Sequence, residues 1–256
     1  MTILDSVLLG IVEGFTEFLP ISSTGHLILA GKLLQIPGTE FFKTFEIAIQ
    51  LGAICSAVVL YWKSFLNIEI VKRLIVAFIP TGVIGFLLYG VVKDVLLESE
   101  SVVLWALALG GVALILFELF YKEPEDAPKN VAAISYFQSA LIGVCQSIAI
   151  IPGVSRSAAT IVGGLLLGVK RVAIVEFSFL LAVPTMLAAT GYDVLKNASS
   201  FSVDEFQTLA VGFITSFVVA LLAIRWLLNF VRNHSFISFG VYRIFVALLF
   251  FFLILR

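Results

Sequence analysis

Pro20-Ile21-Ser22-Ser23-Thr24-Gly25-His26 interrupts an apolar stretch that runs from Ile3 to Leu34, and Pro152-Gly153-Val154-Ser155-Arg156-Ser157 interrupts a second from Ile134 to Leu167. Each stretch is too long for one membrane crossing and carries its polar break in the middle, so these breaks decide the fold. Proline ends the helix before it because its ring clashes with the carbonyl four residues back. Ser22 and Ser155 are suited to cap the helix that follows. Two arrangements are open: a pair of short spanning helices with the break outside the bilayer, or a re-entrant hairpin whose tip stops near mid-depth. The arms, about 13 to 17 residues at 1.5 Å rise each, are short for spanning. Irregular backbone at membrane depth is tolerated where it is buried in protein or lines a water-filled cavity. These constraints favour re-entrant hairpins.

The rest of the chain supports a membrane setting. Of 256 residues, 61% are hydrophobic and 13% charged, against roughly half and a quarter in soluble domains. Apolar segments of about 20 residues, enough to cross a hydrocarbon core, run Phe45 to Trp62, Leu74 to Val92, Val102 to Tyr121, Val172 to Tyr192, Leu209 to Phe230 and Phe236 to Leu255. A net charge of −1 argues against a nucleic-acid partner, which favours a basic face. Met1 to Gly10 carries Asp5 and no Lys or Arg, so it is not the basic start of a cleaved signal peptide and is expected to stay. Cys55 and Cys145 have no second Cys or His at metal-ligand spacing and read as small packing residues.

The polar run Lys122 to Asn130 divides the chain nearly in two. A shift of 133 residues places Glu13 on Gln146, Ser22 on Ser155, Ser23 on Arg156 and Thr24 on Ser157, and a shift of 130 places Glu46 on Glu176. The expected architecture is therefore an all-α polytopic membrane protein of two inverted repeats, each a re-entrant helical hairpin followed by three transmembrane helices. The repeats are residues 1–121 and 132–256, joined by a linker at 122–131 into one integral membrane domain. Three crossings per half invert the second half, so the hairpins enter from opposite faces and their tips can converge. Nine basic residues gather at one face, among them Lys72, Arg73, Lys122, Arg171 and Arg232, against Lys32, Lys43, Lys93, Lys196 and Arg256 at the other. That bias makes the first face cytoplasmic and turns the mouth of the first hairpin outward.

Glu13 and Glu17 stand i, i+4 on one face of an apolar helix, where carboxylates are expensive and mark function. Ser22, Ser23, Thr24 and His26 sit at the adjacent tip. The other tip holds Arg156 between Ser155 and Ser157, with Thr160 one turn on. A permanently charged guanidinium at that depth wants an anion, and the helices starting after Pro20 and Pro152 present free N–H groups and positive dipole ends. Arginine, helix N-termini and hydroxyls describe a phosphate or pyrophosphate site; the plainer alternative is that Arg156 pairs with Glu13 or Glu17 to hold the tips together. Two carboxylates beside a polyanion repel it unless a divalent cation, Mg²⁺ or Ca²⁺, bridges them. A hydrolase also needs a nucleophile and a proton donor, for which Ser23 and His26 are the candidates.

Gly10-Ile-Val-Glu13-Gly-Phe-Thr-Glu17-Phe-Leu-Pro20-Ile-Ser-Ser-Thr-Gly-His26 resembles the first signature of the undecaprenyl-diphosphate phosphatase family, also called the bacitracin-resistance protein family, and Pro152-Gly-Val-Ser-Arg156-Ser-Ala-Ala-Thr160 resembles its second. Glu176 to Pro184 and Ser235 to Arg243 are similar to further stretches; Ala158 and Ser238 depart from the family's usual Gly and Pro. The resemblance implies release of the terminal phosphate from a C55 polyprenyl diphosphate, recycling the carrier lipid for cell-wall synthesis. It also implies divalent-metal dependence and a site open to the outer side of the cytoplasmic membrane. By position, Glu13 and Glu17 match the family's acidic motif and the expected metal ligands. Ser23 and His26 match its nucleophile and acid/base groups, Arg156 its phosphate-binding arginine, and Thr160 a hydroxyl of that site. Ser22, Thr24, Ser155 and Ser157 are the remaining expected substrate contacts. Which of Ser23 and His26 attacks is open; attack by Ser23 assisted by His26 is preferred.

A transporter or flippase of a polyprenyl phosphate is the rival reading, because inverted repeats with broken helices are common in transporters. A structural subunit has no use for Glu13, Glu17, His26 and Arg156 together. Membrane lipids are the expected surroundings, and a homodimer stays open. Glu46 and Glu176 are read as structural, Arg243 as the partner of a buried acid, and His234 as interfacial. Gly10 and Gly14, like Gly164 and Gly168, have the spacing for close helix approach.

Overall fold

The structure is a computed structural model that describes residues 1–91, 99–124, 126–197 and 203–255. Lys93 and Arg256 of the charge count, Val92 and Glu125 lie outside the described residues. The described residues form helices α1 (Ile3–Thr16), α2 (Ser23–Leu33), α3 (Glu40–Leu60), α4 (Trp62–Leu66), α5 (Ile68–Val91), α6 (Glu100–Phe120), α7 (Tyr136–Gln146), α8 (Arg156–Leu166), α9 (Arg171–Asn197), α10 (Val203–Phe230) and α11 (Ile237–Phe250). No strand occurs among the described residues. Of the six expected crossings, five are long and apolar enough by themselves, in α3, α5, α6, α9 and α10. The sixth, α11, is shorter and is continued by a π turn at Phe251–Leu255. Helices begin earlier than the apolar segments because polar residues start them: Thr39 caps α3 ahead of Glu40, and Ser99 caps α6 ahead of Glu100.

The broken stretches are hairpins. Their arms, α1 with α2 and α7 with α8, are 14, 11, 11 and 11 residues long, well short of the about 20 needed to cross. Each hairpin opens on a capping box, Thr2 with Asp5 and Ser135 with Gln138, which satisfies N–H groups that the helix start leaves unpaired. At the tips Ser22 (φ 71°) and Ser155 (φ 30°) take the left-handed backbone that L-residues avoid, a strain of about 1–3 kcal/mol each that clusters at functional sites. Ser155 accepts from the Ala158 N–H as an N-cap should; Ser22 holds the cap position without a side-chain bond to the backbone.

Contacts at the helix ends orient the hairpins. Lys32, at the end of α2, pairs with Glu100 at the start of α6. Arg171, before which the second hairpin closes, pairs with Glu118 at the other end of α6. Arg73 Nε donates to the Ile134 carbonyl at 2.5 Å and Tyr136 donates to Glu69 at 3.0 Å, tying the start of α7 to the start of α5. The hairpins thus open at opposite ends of α6, and the tips meet between: Ser157 Oγ donates to the Leu19 carbonyl at 2.6 Å. Their partners also exchange, α1 packing along α10 and α7 along α5. Both approaches need a glycine. A methyl at Gly10 would fall 2.8 Å from the Gly212 carbonyl and one at Gly143 would fall 2.0 Å from that of Ala77. Gly168, expected to serve packing, has open space around it and a φ of +77°, so it serves the turn after α8 instead.

The core gathers around the tips and α9. Phe18 meets Phe179 edge to face at 5.3 Å, with Phe177, Ile161 and Ile174 fully buried nearby. Gln146, which stands where the first half has Glu13, donates to Thr81 at 3.0 Å and Thr185 at 3.1 Å. It locks α7 to α5 and α9, so the repeated position carries packing in one half and a carboxylate in the other.

Candidate active site

Chain reversal at Pro20 and Pro152 sets the first residues of α2 and α8, Ser23 and Arg156, against Glu17 at the end of α1. The Glu17 carboxylate is 7% exposed as a residue and both its oxygens are engaged. Oε1 accepts from Arg156 Nη2 at 3.0 Å, and Oε2 accepts from the Ser23 hydroxyl at 2.6 Å. Arg156 also donates through Nη1 to the Ser178 carbonyl on α9 at 3.0 Å, lies 5.9 Å over the Phe18 ring, and keeps a buried Nε with no partner. A buried pair of this kind needs extra hydrogen bonds to offset desolvation, and Ser23 and Ser178 supply them. Glu13, one turn back, is fully buried beside Glu17, and among the described residues no donor lies within hydrogen-bond distance of either of its carboxylate oxygens.

A cavity of about 160 Å³ opens against this cluster. Its polar lining is Glu17, Ser22, Ser23, Thr24, Gln50, Ser155 and Arg156, and Ala149, Ile151, Pro152, Val154 and Met186 complete it. The N-termini of two helices reach this space with free N–H groups and aligned dipoles, a setting that favours anions. The chamber can therefore take a phosphate group, present a serine hydroxyl to it and hold a carboxylate on that hydroxyl.

The family model of bacitracin resistance protein BacA matches residues 6–249. The chain belongs to the BacA family. It is 53% identical over 251 residues to an undecaprenyl-diphosphatase of Sulfurihydrogenibium sp. (strain YO3AOP1), covering 98% of this chain and 99% of the relative. Proteins of the same description from Persephonella marina and Aquifex aeolicus are each 52% identical over 251 residues, covering 98% of both chains.

Several expected site residues of this BacA-family chain stand elsewhere. His26 is not in the cavity wall. Its Nδ1 lies 2.7 Å from the Ser22 carbonyl, its Nε2 lies 2.9 Å from Tyr242 Oη, and the two rings stack at 5.5 Å. A carbonyl only accepts, so Nδ1 carries the proton, and in the neutral ring Nε2 accepts from the tyrosine. Neither nitrogen is left for Ser23. Ser157 and Thr160 are fully buried behind the wall: Ser157 bonds to Leu19, and Thr160 Oγ1 lies 2.6 Å from Ser178 Oγ, joining α8 to α9. Ser22, Thr24 and Ser155 do line the chamber.

Arg243 has no acid. It is 1% exposed, and its guanidinium donates to four backbone carbonyls: Leu107 at 3.3 Å, Pro20 at 3.3 Å, Ala106 at 2.9 Å and Gly153 at 3.0 Å. Pro20 and Gly153 belong to the two tips, so one side chain from α11 fastens both. Loop carbonyls carry no side-chain signature, which is why a buried acid was the expectation. Gln50 is a further polar residue of the chamber that the sequence reading does not single out, although Glu46 and Gln50 stand one turn apart in the apolar middle of α3. Glu46 lies within electrostatic reach of Glu13, Glu176 lies near Tyr61 and Arg232, and exposed His234 stacks on Phe230 at 4.5 Å.

Proposed function

We infer that this membrane protein is an undecaprenyl-diphosphatase. It hydrolyses a C55 polyprenyl diphosphate to the monophosphate and phosphate, which recycles the carrier lipid of cell-wall synthesis and confers bacitracin resistance. One observation carries the reading: Glu17 is held between the Ser23 hydroxyl and the Arg156 guanidinium at the starts of α2 and α8. The undecaprenyl-diphosphatase description of relatives about half identical over the full length supports it.

The terminal phosphoryl group sits against Arg156 and the free N–H groups of the two helix starts, with Ser22, Thr24 and Ser155 hydroxyls around it. Ser23 Oγ attacks the terminal phosphorus as Glu17 takes the hydroxyl proton. The bond from phosphorus to the bridging oxygen breaks, and polyprenyl monophosphate leaves. Water then cleaves the phosphoserine, returning a proton to Oγ and its hydroxyl to the phosphate, while Glu17 releases its proton to solvent. Arg156 offsets charge on the transferring group throughout. His26 holds the Ser22 carbonyl and so sets the tip from which Ser23 projects.

Glu13 and Glu17 would hold a divalent cation, Mg²⁺ or Ca²⁺. The unpartnered oxygens of Glu13 suit an oxygen-seeking ion. Among the described residues no group of three or more His, Cys, Asp or Glu could hold a metal, so the two glutamates would act as a pair of oxygen donors. Bound there, it supplies further neutralisation of phosphate charge. The reading treats residues 1–121 and 132–256 as inverted repeats and opens the chamber to the outer side of the cell membrane, in keeping with the basic residues at the opposite face. Transport of a lipid phosphate is set aside, because passage has no use for a serine hydroxyl held on a carboxylate. The test is phosphate release from undecaprenyl or farnesyl diphosphate by purified protein in detergent, with and without EDTA. No turnover by folded protein ends the reading.

A further inference from the structure

The chamber lining is of two kinds, and the phosphate chemistry uses only one. Beside Glu17, Ser23 and Arg156 it includes Ala149 and Ile151 from the second tip and Met186 from α9. A bare phosphate or pyrophosphate would leave those apolar groups wet. A ligand that satisfies both kinds of lining carries an apolar group within a few bonds of its phosphate. About 160 Å³ cannot enclose a chain of 55 carbons, so the chain must leave sideways. Next to this lining in the chain stand exposed apolar residues: Ile151 is 38% exposed, Ile148 55% and Leu187 50%. On the flank, α5 approaches closely, with Ile150 Cδ1 lying 3.9 Å from where a side chain at Gly85 would begin.

We propose that Ala149, Ile151 and Met186 form a subsite for the first isoprenyl unit of the lipid substrate, and that the chain leaves over Ile148, Ile151 and Leu187, between the second tip and α9. This rests on the phosphatase reading for the chemistry of its ligand. Both tips grip the phosphates, through Ser23 and Arg156 at the starts of α2 and α8, whereas the hydrocarbon is read by the residues of the second tip before its helix and by α9. Burial of an apolar group in such a slot discriminates by shape rather than by hydrogen bonds.

The experiment uses the full chain in detergent and a farnesyl diphosphate analogue bearing a diazirine on its first isoprenyl unit. After irradiation, the expected label falls within residues 148–154 and 183–187 and is competed away by unlabelled farnesyl diphosphate. Label confined to the aromatic groove of Phe15, Trp226 and Tyr242, or to any other element, overturns the proposal. Ile151→Trp fills the slot and is expected to lower the ratio of kcat/KM for farnesyl diphosphate over inorganic pyrophosphate, which has no isoprenyl unit, by about tenfold. An unchanged ratio in folded variant overturns it too; should the variant not fold, labelling of the unmodified chain decides. Wild-type protein that takes label at the predicted residues yet releases no phosphate would sink the phosphatase reading and leave the lipid subsite standing.

Discussion

Arg156 and Glu17 stand 139 positions apart in the chain and 3.0 Å apart in space, across the contact between two hairpin tips. Their side chains are 11% and 4% exposed. At that burial, removing one partner strands the other's charge, which costs about 3–5 kcal/mol. Glu17→Ala and Arg156→Ala should each lower turnover by at least about 10²-fold and also lower the unfolding temperature. The double variant should be less damaged than the sum of the two, because neither charge is then left alone. Additive losses in thermal melts would mean that the pair does not couple the tips.

Ser23 donates its hydroxyl to Glu17, so the covalent intermediate should form there. Acid-quenched protein after brief exposure to substrate labelled in the terminal phosphate should carry label on Ser23, and Ser23→Ala should carry none. A phosphohistidine at His26 would reverse the assignment.

His26 and Tyr242 form one hydrogen-bonded unit. Tyr242→Phe removes the donor to Nε2 and His26→Ala removes the ring, so their effects on kcat should overlap rather than add. Loss by His26→Ala should stay well short of that by Ser23→Ala. Equal losses would place the imidazole in the chemistry after all.

Arg243 supplies donors to carbonyls from both tips and α6. Arg243→Ala leaves the Pro20 and Gly153 carbonyls of the tips without this donor, at a cost on the order of 3 kcal/mol. Arg243→Lys, with three donors in place of five, should recover part of the stability. A melt of Arg243→Ala matching wild type would show that water replaces the guanidinium freely.

Chelation tests the cation. EDTA should abolish phosphate release and Mg²⁺ or Ca²⁺ should restore it. Glu13→Ala should need a higher metal concentration for half its own maximal rate. An EDTA-insensitive wild type removes the cation from the account.

The hairpins were legible as the favoured of two arrangements because a spanning helix has a minimum length and proline a fixed effect; the arms, at 11 to 14 residues, are shorter than the sequence breaks suggest. The chamber was legible in kind, since carboxylates, arginine and hydroxyls in apolar surroundings demand one another. Its internal assignments were not. His26 lies three residues from Ser23, yet the turn of α2 sends its ring to Tyr242. Thr160 sits one turn from Arg156 and faces Ser178 instead of the cavity.

Sequence by itself determined the membrane setting, the paired hairpins, the family and the choice of Glu17, Ser23 and Arg156 as one polar cluster, because hydrophobic length, proline geometry and the cost of buried charge act locally along the chain. Only the tertiary structure decided which oxygen meets which donor. It alone showed that Arg243 fastens both tips by their carbonyls and that Gln50 and Met186 reach the chamber. Those outcomes depend on where backbone groups and distant helices come to lie, and backbone groups are the same at every position.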